Sequence, residues 1–203
     1  MINKPNILII CEGYEEYEYL EKLKKLNVWD NYNIKLINAE SNGTIFPIYQ
    51  FSYQNDDYDL ILIMTDTDRP NYDDFILMNN KINSFHDVDN FSDEIVIFGN
   101  PCTMQFILNH FSEECVYVIK ANKKKNAELI KNLTGVENYN AHKDQREAIF
   151  CKITKENYEK MKNNILNCSD QYTNISSTNF LRFIKNLESN DTSWINDIVE
   201  KLQ

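Results

Sequence analysis

Two short acidic motifs carry the chemistry this chain offers. Glu12 follows the apolar run Ile7-Leu8-Ile9-Ile10 in Cys11-Glu12-Gly13, and Asp66-Thr67-Asp68 follows Leu60-Ile61-Leu62-Ile63-Met64 and Thr65. Carboxylates that share one space repel, and a cation or a shared proton offsets the repulsion. A set of ligands that are all oxygen favours Mg²⁺ or Mn²⁺ over zinc. Such a site can clamp a phosphodiester and stabilise developing charge on it. Glu16, one helical turn beyond Glu12, is placed to be a further ligand. The plainer alternatives are an Asx turn or helix N-cap at Asp66-Thr67-Asp68 and a solvated helix face at Glu15, Glu16 and Glu18.

The elements that must position these acids alternate. Ile7–Ile10, Ile34–Ile37, Leu60–Met64 and Glu94–Phe98 read as strands. Near-continuous apolar runs of that length suit a sheet buried on both faces. Between and after them lie helical periods, at about Glu15–Leu26, Ile45–Phe51, Tyr72–Ile82 and Thr103–Phe111. The expected fold is α/β, a mainly parallel four-stranded sheet flanked by helices over residues 1–118, with a helical C-terminal extension over 119–203. Asn42-Gly43 reads as a chain break, and helices are expected at about Glu156–Leu166, Asn179–Leu187 and Trp194–Leu202. In open α/β sheets ligands bind beyond the carboxyl ends of the strands, which is where Glu12, Asp66 and Asp68 fall.

Weaker candidates surround them. Arg69 can balance the Asp pair or hold a phosphate bidentately. Asn100 can bond a phosphate or a metal's water, or simply make the turn before Pro101. Lys123, Lys124 and Lys125 can neutralise backbone phosphates, or form a solvated helix start. His110 sits in an apolar helix and reads first as a hydrogen-bonded, half-buried histidine. Ser177 and Thr178 suit capping of the helix that carries Phe180, Phe183, Ile184 and Leu187. The five cysteines form no CxxC pair, and their number is odd; reduced, mostly buried thiols are the expectation.

A resemblance adds to this reading. An apolar strand ending in Glu-Gly, followed about fifty residues later by a strand ending in Asp-x-Asp, resembles the Toprim domain of bacterial primases, topoisomerases, overcoming-lysogenization-defect nucleases and an rRNA-maturing ribonuclease. Asn100-Pro101-Cys102 with Leu108-Asn109-His110-Phe111, and Ser177-Thr178-Asn179, resemble segments of RloB-like proteins. The matches come in family order and span residues 7–187. The resemblance implies a Toprim-like fold. It implies metal-binding and catalytic roles for Glu12, Asp66 and Asp68, with Glu16 as a second acid. It also implies a setting in anti-phage or anti-plasmid defence, of the abortive-infection type. The chain departs from the RloB-like pattern twice. Tyr14-Glu15-Glu16-Tyr17 stands where a Thr-Glu pair is usual, and Thr103-Met104 stands where Phe-Glu is usual. These departures leave open a one-metal site, an altered substrate or a decayed enzyme.

The expected function is therefore a Mg²⁺- or Mn²⁺-dependent nuclease that cleaves phosphodiesters of DNA or RNA. The rival expectations are a catalytically degenerate module binding nucleic acid, nucleotide or a partner protein, and an RNA-processing ribonuclease. A homo-oligomer or a partner defence subunit is left open. The chain has 203 residues, 42% of them hydrophobic, enough for one sizeable core. No stretch approaches the roughly 20 apolar residues of a membrane helix, and no signal-peptide pattern opens the sequence. The expected location is cytoplasmic, with no membrane partner. The net charge of −10 argues against a protein that simply coats nucleic acid. Residues 56–94 hold eleven acids and two bases, so the acidity concentrates around the expected cation site. A polyanion must then approach from the Lys123 side or with metal in place.

Overall fold

The computed structural model describes residues 4–67, 72–119, 122–172 and 175–202. Five strands form one sheet in the order β2-β1-β3-β4-β5. They are β1 (Asn6–Cys11), β2 (Asn33–Asn38), β3 (Leu60–Asp66), β4 (Val96–Asn100) and β5 (Ser177–Thr178). β1, β2, β3 and β4 run parallel, and β5 is antiparallel to β4. The apolar runs are continuous because the central strands have protein on both faces. Ile7 to Cys11 and Leu62 to Met64 have no exposed surface, and each such side chain contributes about 1.5–3 kcal/mol by leaving water.

The helices that join the parallel strands are α1 (Tyr14–Lys25), α2 (Asn42–Asn55), α3 (Asp73–His86) and α4 (Ser92–Ile95). α5 (Met104–Ile107) runs into a 3₁₀ turn, Leu108–His110. The chain moves from β1 outward to β2, then crosses back past β1 to β3. Right-handed crossovers therefore put α1 and α2 on opposite faces. On the α1 face, Tyr19 packs against Phe106, Phe150 and Phe180, with ring centroids 5.4 to 6.0 Å apart. On the other, Phe46 and Tyr49 of α2 meet Phe85 of α3. α2 runs through Asn42-Gly43 and past Pro47, so the expected break there is instead the first turn of a longer helix.

The remainder is helical: α6 (Lys123–Thr134), α7 (Lys143–Phe150), α8 (Lys155–Ile165), α9 (Phe180–Glu188) and α10 (Ser193–Val199). It also completes the sheet, so the expected four strands are five. Ser177 and Thr178 pair with Asn100 and Gly99, so both are strand residues, and Thr178 also serves the start of α9 as expected, its Oγ1 accepting from Phe180 N at 3.1 Å. Past the end of β5, a side chain continues the ladder. Asn179 Oδ1 accepts from Phe98 N at 2.9 Å, and its Nδ2 donates to Val96 O at 2.7 Å. An edge that would otherwise leave backbone groups unpaired is closed by one amide.

Candidate functional site

The strand order places a topological switch point between β1 and β3, where successive connections leave in opposite directions. In open α/β sheets the crevice at that point receives ligands. Glu12 leaves β1 there and Asp66 ends β3 there. Glu12 N donates to Met64 O at 2.9 Å, continuing the ladder one residue past the strand. The Glu12 carboxylate turns across the gap. Its Oε2 accepts from Thr65 Oγ1 at 2.5 Å and from Asp66 N at 3.0 Å.

The third strand end supplies Thr103. Its N–H donates to Asp66 Oδ1 at 2.6 Å. Its hydroxyl oxygen lies 2.7 Å from the same Oδ1 and 2.5 Å from Glu16 Oε1. Glu16 Oε2 accepts from Gly13 N at 3.0 Å, closing the first turn of α1 in the manner of a capping box. Gly99, paired with Asp66 in the sheet, is what lets the chain reach this position. A Cβ there would stand 2.5 Å from Cys102 C and 2.7 Å from Thr103 N. The Cys102–Thr103 backbone thus crosses directly over Gly99 to deliver Thr103 to Asp66.

The Thr103 hydroxyl has one hydrogen and two carboxyl neighbours, and it can donate to only one of them fully. The other contact is favourable when that carboxyl carries a proton. Burial first, then the charges of Glu16, Glu12 and Glu15, push Asp66 well above the usual carboxylate range, against the pull of the Thr103 hydrogen bond. Burial and the neighbouring charges thus raise the proton affinity of Asp66. A divalent cation would relieve the same repulsion.

The donors fit a hard cation in kind, since all are carboxylate or hydroxyl oxygens. Among the described residues, no three His, Cys, Asp or Glu side chains are gathered as metal ligands. Glu16 and Asp66 meet instead through the Thr103 hydroxyl, and the Glu12 carboxylate reaches Asp66 at its backbone N–H. Asp68 and Arg69, expected in the site, lie outside the described residues.

The other expected residues divide. Glu16 is buried, not part of a solvated face. Glu18 makes a bidentate pair with Arg146, at 2.8 Å for both bonds. Glu15 accepts from the Tyr139 hydroxyl. Asn100, expected to reach a phosphate or a metal's water, is buried. It accepts from Thr67 Oγ1 at 2.8 Å and donates to Ser177 Oγ and Ile175 O, pinning β5 to the ends of β3 and β4. His110 is fully buried between Tyr19 OH, 2.8 Å from Nε2, and Asn157 Oδ1, 3.3 Å from Nδ1. Burial lowers its pKa to about 4, so it is a neutral core residue at pH 7. Lys123, Lys124 and Lys125 are exposed in the first turn of α6. Of the five thiols only Cys11 is fully buried, and Cys151 is exposed, so the expectation of mostly buried cysteines does not hold.

Thr65 and Thr103 were not legible as site residues. Thr65 reads as the start of the polar stretch that stops the Leu60–Met64 strand, and Thr103 as the start of a helix. Only the Gly99 crossing brings Thr103 to Asp66.

Compared with protein families, curated proteins and solved structures, the chain matches none. Among the described residues no helix is long and apolar enough to cross a membrane.

Proposed function

We propose that the protein is a Toprim-type, RloB-like nuclease that cleaves phosphodiesters of DNA or RNA with Mg²⁺ or Mn²⁺, in a setting of bacterial defence. What supports the reading is the position of Glu12 and Asp66: two acids at the ends of adjacent parallel strands, at the switch point, 3.0 Å apart from carboxylate to backbone. Glu12, Asp66 and Glu16 would hold the cation, with Asp68 assigned from its place in the motif. A bound divalent ion supplies charge stabilisation for a phosphoryl oxygen. The chain's own groups orient the acids. Thr65 Oγ1 and Asp66 N aim Glu12, and the Thr103 N–H and hydroxyl aim Asp66. Lys123, Lys124 and Lys125 would meet the substrate backbone.

One observation favours a second reading. The Thr103 hydroxyl occupies the space between Glu16 and Asp66, as in a module that keeps the fold and binds nucleic acid without cutting it. A cleavage assay decides between them. Plasmid, single-stranded DNA and structured RNA are incubated with the protein and millimolar Mn²⁺, beside Asp66→Asn and Glu12→Gln. Cleavage lost by about 100-fold or more in both variants, of the order seen when one key electrostatic group is removed, supports the nuclease. Intact substrates throughout support the binding module.

A further inference from the structure

A cavity of about 610 Å³ opens beside the carboxylate cluster. Its inner wall is apolar, formed by Met104, Leu108, Val118 and Ile130, and Lys123 and Lys124 stand at its rim. Glu15 and Cys102, the chain neighbours of Glu16 and Thr103, also line it. Cys102 immediately precedes Thr103, which holds Asp66, and the Glu15 charge acts on Asp66 itself. Among the described residues, neither lysine pairs with a carboxylate. Cations in the first turn of a helix oppose its dipole, so an anion brought to this rim gains from both lysines.

A volume of this size suits one planar, mostly apolar group with an attached anion. We propose that the cavity receives one nucleotide of the substrate strand. The base lies against the Met104–Leu108–Val118–Ile130 wall and its phosphate meets Lys123 and Lys124, which seats the neighbouring phosphate at the carboxylates. This assignment rests on the nucleic-acid reading above, and it adds where the strand is gripped. It also reconciles the acidic site with a polyanion, because the grip comes from the rim where Lys123 and Lys124 stand.

The test is binding measured in EDTA, so that cleavage plays no part. Fluorescence anisotropy follows a labelled ten-nucleotide single strand, as DNA and as RNA, and copies with one abasic position moved along it. The proteins are wild type, Ala127→Trp, which fills the cavity from α6, and the exposed pair Lys123→Glu/Lys124→Glu. The wild type is expected to lose about tenfold in affinity at one abasic position, the size of a single base contact. Ala127→Trp should bind about tenfold weaker and show no abasic penalty. The lysine pair should reduce the slope of log K against log salt by about 1.4, two phosphate contacts on a single strand. Thermal melting confirms that both variants fold, and the lysine pair keeps the test alive if Ala127→Trp does not. An abasic penalty unchanged in a folded Ala127→Trp, or no strand binding by the wild type, overturns the proposal. A protein that passes this test and cuts nothing would overturn the nuclease reading alone.

Discussion

The backbone N–H of Thr103 donates to Oδ1 of Asp66 at 2.6 Å, across a gap that Gly99 keeps open. A residue after the fourth strand thereby fixes an acid at the end of the third. The hold depends on the absence of one carbon atom.

Gly99→Ala should destabilise the protein and displace the site together. The new Cβ meets backbone atoms that cannot rotate away, so a loss of about 1–3 kcal/mol is expected, as for other overpacked positions. Gly43, in the first turn of α2, faces open space: a Cβ added there would meet nothing within 4 Å. Gly43→Ala should raise stability by about 0.5–1 kcal/mol. Urea melts of the two variants measure the contrast.

Asp66 makes the metal-free protein sensitive to alkali. Its folded pKa is raised above the ordinary value of 3.8, so the native state binds more protons than the unfolded chain just above that pH. Its contribution is complete below pH 3.8 and is lost as pH rises through the folded value. Asp66→Asn should therefore melt higher than wild type at pH 8 without metal, by about 3 °C, or about 1 kcal/mol for a chain of this length. The gap should close toward about pH 4. His110 acts with the opposite sign in both proteins. Its pKa is lowered from 6.5 to about 4, so stability falls as pH drops from 6.5 to 4. Because both proteins keep His110, the difference between their melting curves isolates Asp66.

Cys115 Sγ and Cys168 Sγ lie 3.4 Å apart as thiols. Hydrogen peroxide should convert the pair to a disulfide, each peroxide taking up two electrons and two protons to give two waters. Burial and the neighbouring Cys115 push Cys168 up to about 12, which disfavours Cys168 as the first thiol to attack the oxidant and assigns it the resolving step. The bond would close a long loop and add up to about 4 kcal/mol. Peptide mapping without reductant should find the Cys115–Cys168 link, absent in Cys115→Ser. Oxidation confined to the exposed Cys151 would contradict it.

Much of this arrangement was legible in the sequence, for physical reasons that differ by element. β1 and β3 announce themselves because strands covered on both faces must be apolar throughout, and Glu12 and Asp66 are conspicuous among the first polar groups after them. β5 was hidden because Ser177 and Thr178 carry no hydrophobic period; the Asn100 amide holds Ser177, and the Thr178 hydroxyl donates to Phe98 O. Asn179 reads as a helix start, while its side chain works as a strand. Thr103 was invisible as a site residue because its role comes from a close backbone crossing that no local pattern encodes.

The proposed function stands on a cation site at Glu12 and Asp66. Isothermal titration of Mn²⁺ into the metal-free protein near neutral pH tests it most directly, with Asp66→Asn and Glu12→Gln beside the wild type and the titration repeated in two buffers. A saturable isotherm in the wild type is the predicted result, with affinity reduced about tenfold or more in each variant, as for other lost ligand-shell groups. The observed heat should differ between the two buffers in proportion to their ionisation heats, because a bound cation opposes the raised proton affinity of Asp66 and so favours proton release. No binding up to millimolar Mn²⁺, or binding equal in all three proteins, would contradict it.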